Sequence, residues 1–371
     1  MHRFKSILVV IDEKTENKAA VERAMTLAQR NQARLTVVNT IRALPHQAPR
    51  PITPEPSADA QELALDIIEE WPSEADLPTI PESPAIIQKP AGEWPDEAEM
   101  PVTEATVVIR EHIVEEEGQR LEQWVEFIRR SGVPATGRML YGTPFLEIIR
   151  EVLHREHDLV MTATGRRGGL KEKLFGSTVM HLMRKCPCPV WVVKPIQPER
   201  HTRILAAVDP TPIDEEQYTV SIKIMDLATS LARRDQCELV VVHSWTFPAE
   251  HSLRSGYLVA SNELDRWVRR ARDQQRRRLT ELLAPYDLQD LQSQVYMLKG
   301  EPGHLIPKLV AKMEIGLIVM GTVRRTGVAG LLIGTTAERI LRQVDCSVLT
   351  VKPEGFVTPV GIAFSSGSSQ S

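Results

Sequence analysis

The sequence predicts an α/β protein of two similar domains, each a five-stranded parallel sheet with helices on both faces. Three observations predict it: the chain repeats itself, its apolar runs alternate with stretches of helical periodicity, and those runs are apolar at nearly every position. A strand apolar on both sides is buried on both faces, the condition of a parallel sheet covered by helices on each side. Right-handed crossovers then give a doubly wound, Rossmann-like sheet, and a ligand is expected beyond the C-terminal strand ends where the strand order reverses.

The repeat comes from laying the chain on itself. At a shift of 158 residues, YGTPFLEII (141–149) falls on KGEPGHLIP (299–307), DLVMTA (158–163) on GLIVMG (316–321), and RKCPCPVWVVKP (184–195) on RQVDCSVLTVKP (342–353). The openings match as well, ILVVID (7–12) on ILAAVD (204–209) at a shift of 197, and LAQRNQARLTVV (27–38) on LARRDQCELVVV (231–242) at 204. The fall from 204 to 158 leaves a large insertion in the first copy, after its second strand. Domains are expected at 1–195, with the insertion at about 45–103, and at 200–360, followed by a disordered tail at 361–371.

The second copy gives the elements in order. RILAAVD (203–209) reads as a buried strand, 219–234 as a helix through Ile222, Met225, Leu227 and Leu231, and CELVVVHSW (237–245) as a strand. A long helix (262–284), a strand (293–299), a helix (303–314), the strand GLIVMG, a helix from Gly334 and the strand SVLTVK (347–352) complete it. The strands ending at Asp12 and Asp209 then lie beside the loop that follows each fourth strand.

That loop in the second copy, GTVRRTGVAGLLIGTT (321–336), is built of small residues and opens a helix with Gly334, Thr335 and Thr336. Backbone N–H groups and the positive end of a helix hold phosphate when the chain approaches closely, which favours glycine and left-handed dihedrals. A hydroxyl in the first helical turn also caps a helix with no phosphate present, so Thr335 and Ser177 carry both readings. Gly321, Arg324, Gly334 and Thr335 keep a spacing of glycine, two residues, a second position, nine residues, then glycine and a hydroxyl; the first copy has Ala163, Arg166, Gly176 and Ser177 at the same places.

This spacing, with the tandem arrangement and the HLMRKCPCPVWVVKP and VKPEGFVTP segments, resembles the universal stress protein family in its two-domain form. The resemblance covers nearly all of the chain apart from about 45–103 and the serine-rich tail from Ser365. It implies an adenine nucleotide, ATP or AMP, with magnesium accompanying ATP, bound by Gly321, Arg324, Gly334, Thr335 and Thr336 and, in the first copy, by Arg166, Gly176 and Ser177. It carries over Asp12 and Asp209 as nucleoside contacts; an aspartate at a strand end also organises its turn through its own side chain. Both copies depart from the family glycines, since arginine replaces the second one in each and Ala163 replaces the first. Arginine restricts the backbone but offers a guanidinium to phosphate. Two functions therefore stay open: a nucleotide-binding stress regulator, and an adaptor that keeps the scaffold with drifted loops.

Other classes are excluded or demoted by composition. No HExxH, GxSxG or GxxxxGK[ST] pattern is present, which points to binding, with ATP hydrolysis slow at most. No run of about 18 apolar residues occurs and MHRFKSILVVID enters a strand pattern directly, so no membrane span or signal peptide is expected and the location is expected to be cytoplasmic. The four cysteines are too few for a disulfide framework, lack the paired CxxC spacing of a zinc site, and read as small buried residues. RWVRRARDQQRRRL (266–279) carries seven arginines, but Leu264, Trp267, Val268, Ala271, Leu279 and Leu282 mark a buried stripe, which leaves the arginines as a solvated face and makes nucleic acid an unexpected partner.

Residues 45–104 hold 12 of the 26 prolines and 14 acids against Arg50 and Lys89, a net charge of −12. Such a segment opposes a packed core, although ADAQELALDIIEEW has Leu63, Ile67 and Trp71 on one helical face. Finally, the fifth strands, PVWVVK (189–194) and SVLTVK, are apolar edges that pairing would cover. An internal pseudo-dimer through Val190, Val192, Val348 and Thr350 is expected, with assembly of whole chains left open.

Overall fold

The computed structural model describes residues 4–12, 17–41, 104–164, 175–194, 203–211, 215–248, 250–255, 261–322 and 334–361. The ADAQELALDIIEEW segment, the rest of the acidic insertion and the expected tail lie outside them, apart from Gly361. By contacts the chain divides into a unit of residues 1–42 with 112–371 and a second of residues 43–111, and all ten strands belong to the first.

The first half runs β1 (Ser6–Ile11), α1 (Asn17–Asn31), β2 (Arg34–Ile41), α2 (Glu104–Arg130), β3 (Ala135–Tyr141), α3 (Pro144–Arg155), β4 (Leu159–Ala163), α4 (Ser177–Lys185) and β5 (Val190–Val193). The second half repeats it as β6 (Arg203–Ala207), α5 (Glu215–Asp235), β7 (Glu238–Trp245), the short α6 (Glu250–Ser255), α7 (Ser261–Leu283), β8 (Gln294–Lys299), α8 (Pro302–Lys312), β9 (Leu317–Gly321), α9 (Thr335–Gln343) and β10 (Ser347–Val351). Strand order is β3-β2-β1-β4-β5-β10-β9-β6-β7-β8, all neighbours parallel except β5 and β10. The two expected five-stranded sheets are therefore halves of one ten-stranded sheet. They meet antiparallel, with Val348 opposite Val192, Leu349 opposite Trp191 and Thr350 opposite Val190, because equivalent edges related by a two-fold axis must run in opposite directions.

Duplication shows in the backbone as well as the sequence. The non-glycine residues with positive φ include Gln32 and Gln236, and Glu156 and Glu314; the glycines include Gly142 and Gly300. Each pair stands at the same place in the two halves, so the same helix ends and turns recur. One core lies between the sheet and α1, α2, α5 and α7, the other between the sheet and α3, α4, α8 and α9. In α8, Pro307 has no N–H to offer the carbonyl of Gly303 four residues earlier, and Gln343 Nε2 at the end of α9 donates to that carbonyl instead, at 3.2 Å. The expected buried stripe on α7 holds at Leu264, Leu279 and Leu282, but Trp267 is exposed, and most of the arginines around it face solvent.

A reciprocal pair of lysines ties the halves together. Lys352, just past β10, donates to Met183 O (2.7 Å) and Arg184 O (3.0 Å) in the last turn of α4, and to Thr322 Oγ1 (2.7 Å). Its counterpart Lys194, just past β5, donates to Val344 O (3.2 Å) at the end of α9 and to Asp345 Oδ1 (2.8 Å). A cation on unsatisfied C-terminal carbonyls meets both their hydrogen-bonding need and the negative end of the helix.

Candidate functional site

The strand order reverses between β1 and β4 in the first half and between β6 and β9 in the second, and the predicted residues gather at those C-terminal strand ends. In the first half Asp12 follows β1; its N–H donates to Asn17 Oδ1 (3.1 Å) and its carbonyl accepts from Asn17 Nδ2 (2.8 Å). In the second, Asp209 N–H donates to Ser221 Oγ (3.1 Å) and Ser221 Oγ–H donates back to Asp209 O (2.8 Å). Asn17 and Ser221 occupy the same position under the 204-residue shift, so each half clamps its strand end with the first helix. The Asp209 carboxylate also accepts from the N–H of Thr211 at 3.1 Å, the turn-forming role that an aspartate takes at a strand end.

The helices after the loops open on glycine. Gly176 is the N-cap of α4 (φ −60°, ψ 159°) and Gly334 the N-cap of α9 (φ −56°, ψ 138°), neither helix with a side-chain cap. Both glycines have negative φ, so the left-handed dihedral expected of such a loop is not used at these two positions. The hydroxyls do not cap either: Ser177 and Thr335 are the first helical residues, and with Thr336 they are exposed. A Cβ at Gly176 would meet nothing within 4 Å, leaving open space at the end of α4 where the helix begins. Gly334 is buried and its N–H donates to Thr322 O at 3.0 Å, which fixes the start of α9 to the end of β9.

Gly321 has a different cause. A Cβ there would lie 2.9 Å from Val220 Cγ1, so the glycine lets α5 pack on β9; Ala163 holds that place at the end of β4, buried. Arg166 and Arg324, like Arg167 and Arg325, lie outside the described residues.

Sequence reasoning missed a polar pair behind each strand end. His243 on β7 is buried, with Nδ1 3.3 Å from Val208 O and Nε2 3.1 Å from Gln275 Oε1 on α7, which also accepts from Thr211 Oγ1 at 2.8 Å. In the first half Asn39 on β2 donates through Nδ2 to Glu117 Oε2 on α2. Under the 204 and 158 shifts Asn39 falls on His243 and Glu117 on Gln275. The signal lay in the self-alignment: a polar residue recurs at the same point of an otherwise apolar strand.

A model of the universal stress protein family matches residues 3–194 and again 201–352. The chain belongs to the universal stress protein family. Among similar curated members is universal stress protein E of Photorhabdus laumondii, 22% identical over 98% of this chain and 99% of that protein. Universal stress protein E of Escherichia coli K12 is 27% identical over 68% of this chain and 79% of that protein. The fold matches a functionally unknown protein of Pseudomonas aeruginosa PAO1 at a TM-score of 0.61 and 22% identity, over 94% of this chain and 93% of that one. A universal stress protein of Archaeoglobus fulgidus matches at 0.53 and 15%, over 94% and 98%. In this universal stress protein, both family matches contain one reversal point, one strand-end aspartate and one glycine-capped helix. No helix among the described residues is long and apolar enough to cross a membrane.

Proposed function

We propose that this tandem universal stress protein is a stress-response regulator that binds AMP or ATP at the strand ends of its second half, the first half being a weaker equivalent. The observation that carries the reading is the opening of α9: its first-turn N–H groups take no side-chain cap and begin beyond the point where β6 and β9 diverge. Three such donors, those of Thr335, Thr336 and Ala337, with Gly334 N–H spent on Thr322 O, suit a phosphate at the positive end of a helix. In this reading Gly334, Thr335 and Thr336 receive the phosphate, Arg324 supplies charge where the family has glycine, and Asp209 meets the nucleoside. Gly176, Ser177, Arg166 and Asp12 do the same in the first half, and magnesium accompanies ATP.

The adaptor reading rests on specific observations too, since Asp209 already orders its turn and Gly321 answers to Val220. Titration with AMP and with ATP plus magnesium, followed by calorimetry and melting temperature, separates the two. A ligand that binds only the folded state raises its stability by mass action. The regulator requires a melting-temperature rise of a few degrees and a loss of at least about tenfold in affinity in Gly334→Val, or about 1.4 kcal/mol. Saturating nucleotide without a shift in the wild-type chain sinks it and leaves the adaptor.

A further inference from the structure

The cysteines are not uniformly buried. Cys186, Cys237 and Cys346 are, but Cys188 is partly exposed, and its Sγ lies 3.6 Å from Cys186 Sγ. The two thiols sit in the turn between α4 and β5, in the stretch Cys186-Pro187-Cys188-Pro189. Each proline fixes its own φ and holds the residue before it extended; Cys186 accordingly has φ −67° and ψ 132°, with its N–H on Leu182 O at 2.9 Å. The backbone therefore presents both sulfurs to one another with little freedom left to lose. A disulfide at ~2.05 Å needs them to approach by roughly 1.5 Å, within reach of side-chain rotation.

The molecule holds its own control. Under the 158-residue shift Cys188 falls on Cys346 and Cys186 on Val344. The same turn in the second half thus has a buried thiol with no second cysteine beside it.

Surroundings add access. A surface cleft is lined by Pro187 and Pro189, which flank Cys188, and by Lys223, Asp226, Lys352 and Pro353. Lys352 binds the carbonyls of Met183 and Arg184, within three residues of Cys186.

We propose that Cys186 and Cys188 form a reversible disulfide by exchange with small-molecule disulfides, a modification site confined to the first half. In the first step the Cys188 thiol gives up its proton, its sulfur bonds to one sulfur of the small disulfide, and the other leaves as a thiol after taking a proton. In the second step the Cys186 sulfur, its proton lost, bonds to Cys188 Sγ and expels the remaining half as a second thiol. The protein loses two electrons and two protons, and the small disulfide gains both. The hydrogen bond to Cys186 and burial push the Cys188 thiol well above the ordinary range, so the thiolate is scarce at neutral pH and exchange is slow. The pair then records sustained oxidising conditions rather than brief ones.

The test exposes the folded full-length chain to oxidised glutathione and follows intact mass and peptide maps. The expected product has lost two hydrogens, maps to the peptide holding Cys186 and Cys188, leaves Cys237 and Cys346 as thiols, and is reversed by a dithiol reductant. Cys186→Ser should instead stop at a glutathione adduct on Cys188, and Cys188→Ser should stay unmodified at position 186. Three outcomes overturn the proposal: a stable adduct on wild-type Cys188, modification at Cys237 or Cys346 first, or no change when the same oxidant modifies the chain unfolded in urea. Because the wild-type mapping stands alone, a variant that fails to fold does not remove the test.

Discussion

His157 is the residue where burial has its clearest chemical consequence. It is buried between α3 and β4, its Nδ1 hydrogen-bonded to Ser6 Oγ at 2.9 Å, while Nε2 has no hydrogen-bond partner among the described residues. Burial first, then the cations Arg34, Arg155 and Arg138, bring its pKa down to about 4. The unfolded chain takes up a proton near pH 6.5 that the folded one refuses until about 4. Stability from this group is thus complete above about pH 6.5 and falls as pH drops through that window, by roughly 1–2 kcal/mol after allowing for solvent screening. His157→Asn, which keeps a polar atom for Ser6, should lose less melting temperature than the wild type between about pH 7 and 4.5, a range set by that linkage; equal losses would contradict this. None of it was legible in the sequence, where His157 is one of ten histidines. Gly334, Thr335 and Asp209 were legible, because spacing along the chain places them. The reason for Gly321 was not, since Val220 lies on another helix and only packing brings it to 2.9 Å.

Elements were legible wherever the repeat displayed them twice. The expected strand at 293–299 is β8 (Gln294–Lys299), and the helix expected at 219–234 begins earlier, as α5 (Glu215–Asp235); the polar residues 215–218 carried no apolar period to announce it. What holds one element's end to another half was hidden. Lys352 reads in the sequence as a basic residue after a strand, yet it is 5% exposed and serves the end of α4. Burial pulls its pKa down to about 7, while three acceptors match the three N–H groups of an ammonium and the helix end is negative, which holds the proton on. Lys352→Met would take the ammonium donor from Arg184 O and leave Met183 O and the Thr322 hydroxyl only their mutual hydrogen bond at 3.2 Å, costing about 1–3 kcal/mol. For Lys194, whose partner Asp345 is 67% exposed, the same change should cost about 1 kcal/mol or less. Denaturant midpoints of the two variants compare them directly, and equal losses would show that the two caps are energetically alike.

At the scale of the whole molecule, the decisive feature is that β5 and β10 spend their edges on each other, so the two halves share a sheet instead of merely being joined by a linker. Three facing pairs make that seam, and side chains reinforce it: Lys194 N–H to Ser347 Oγ at 3.1 Å, Thr350 Oγ1 to Val190 O at 3.2 Å, and Arg184 to Glu338 at 3.2 Å. Asp235 at the end of α5 takes Arg23 and Arg30 of α1, and the Arg23 guanidinium lies 4.9 Å from the ring centre of Trp191 on β5. Trp191 is 2% exposed in the core that α1, α2, α5 and α7 cover, so it joins the seam to both halves at once. Neither half can unfold without exposing this seam, and the wild-type chain should therefore melt in one calorimetric transition. Trp191→Ala removes about 3–5 kcal/mol of packing from a strand of the first half that lies at the seam. The expected result is two transitions, an earlier one for the first half and a later one near the wild-type temperature. Two transitions in the wild type would mean that the seam does not couple the halves, and one lowered transition in Trp191→Ala would mean that contacts other than those of Trp191 couple them.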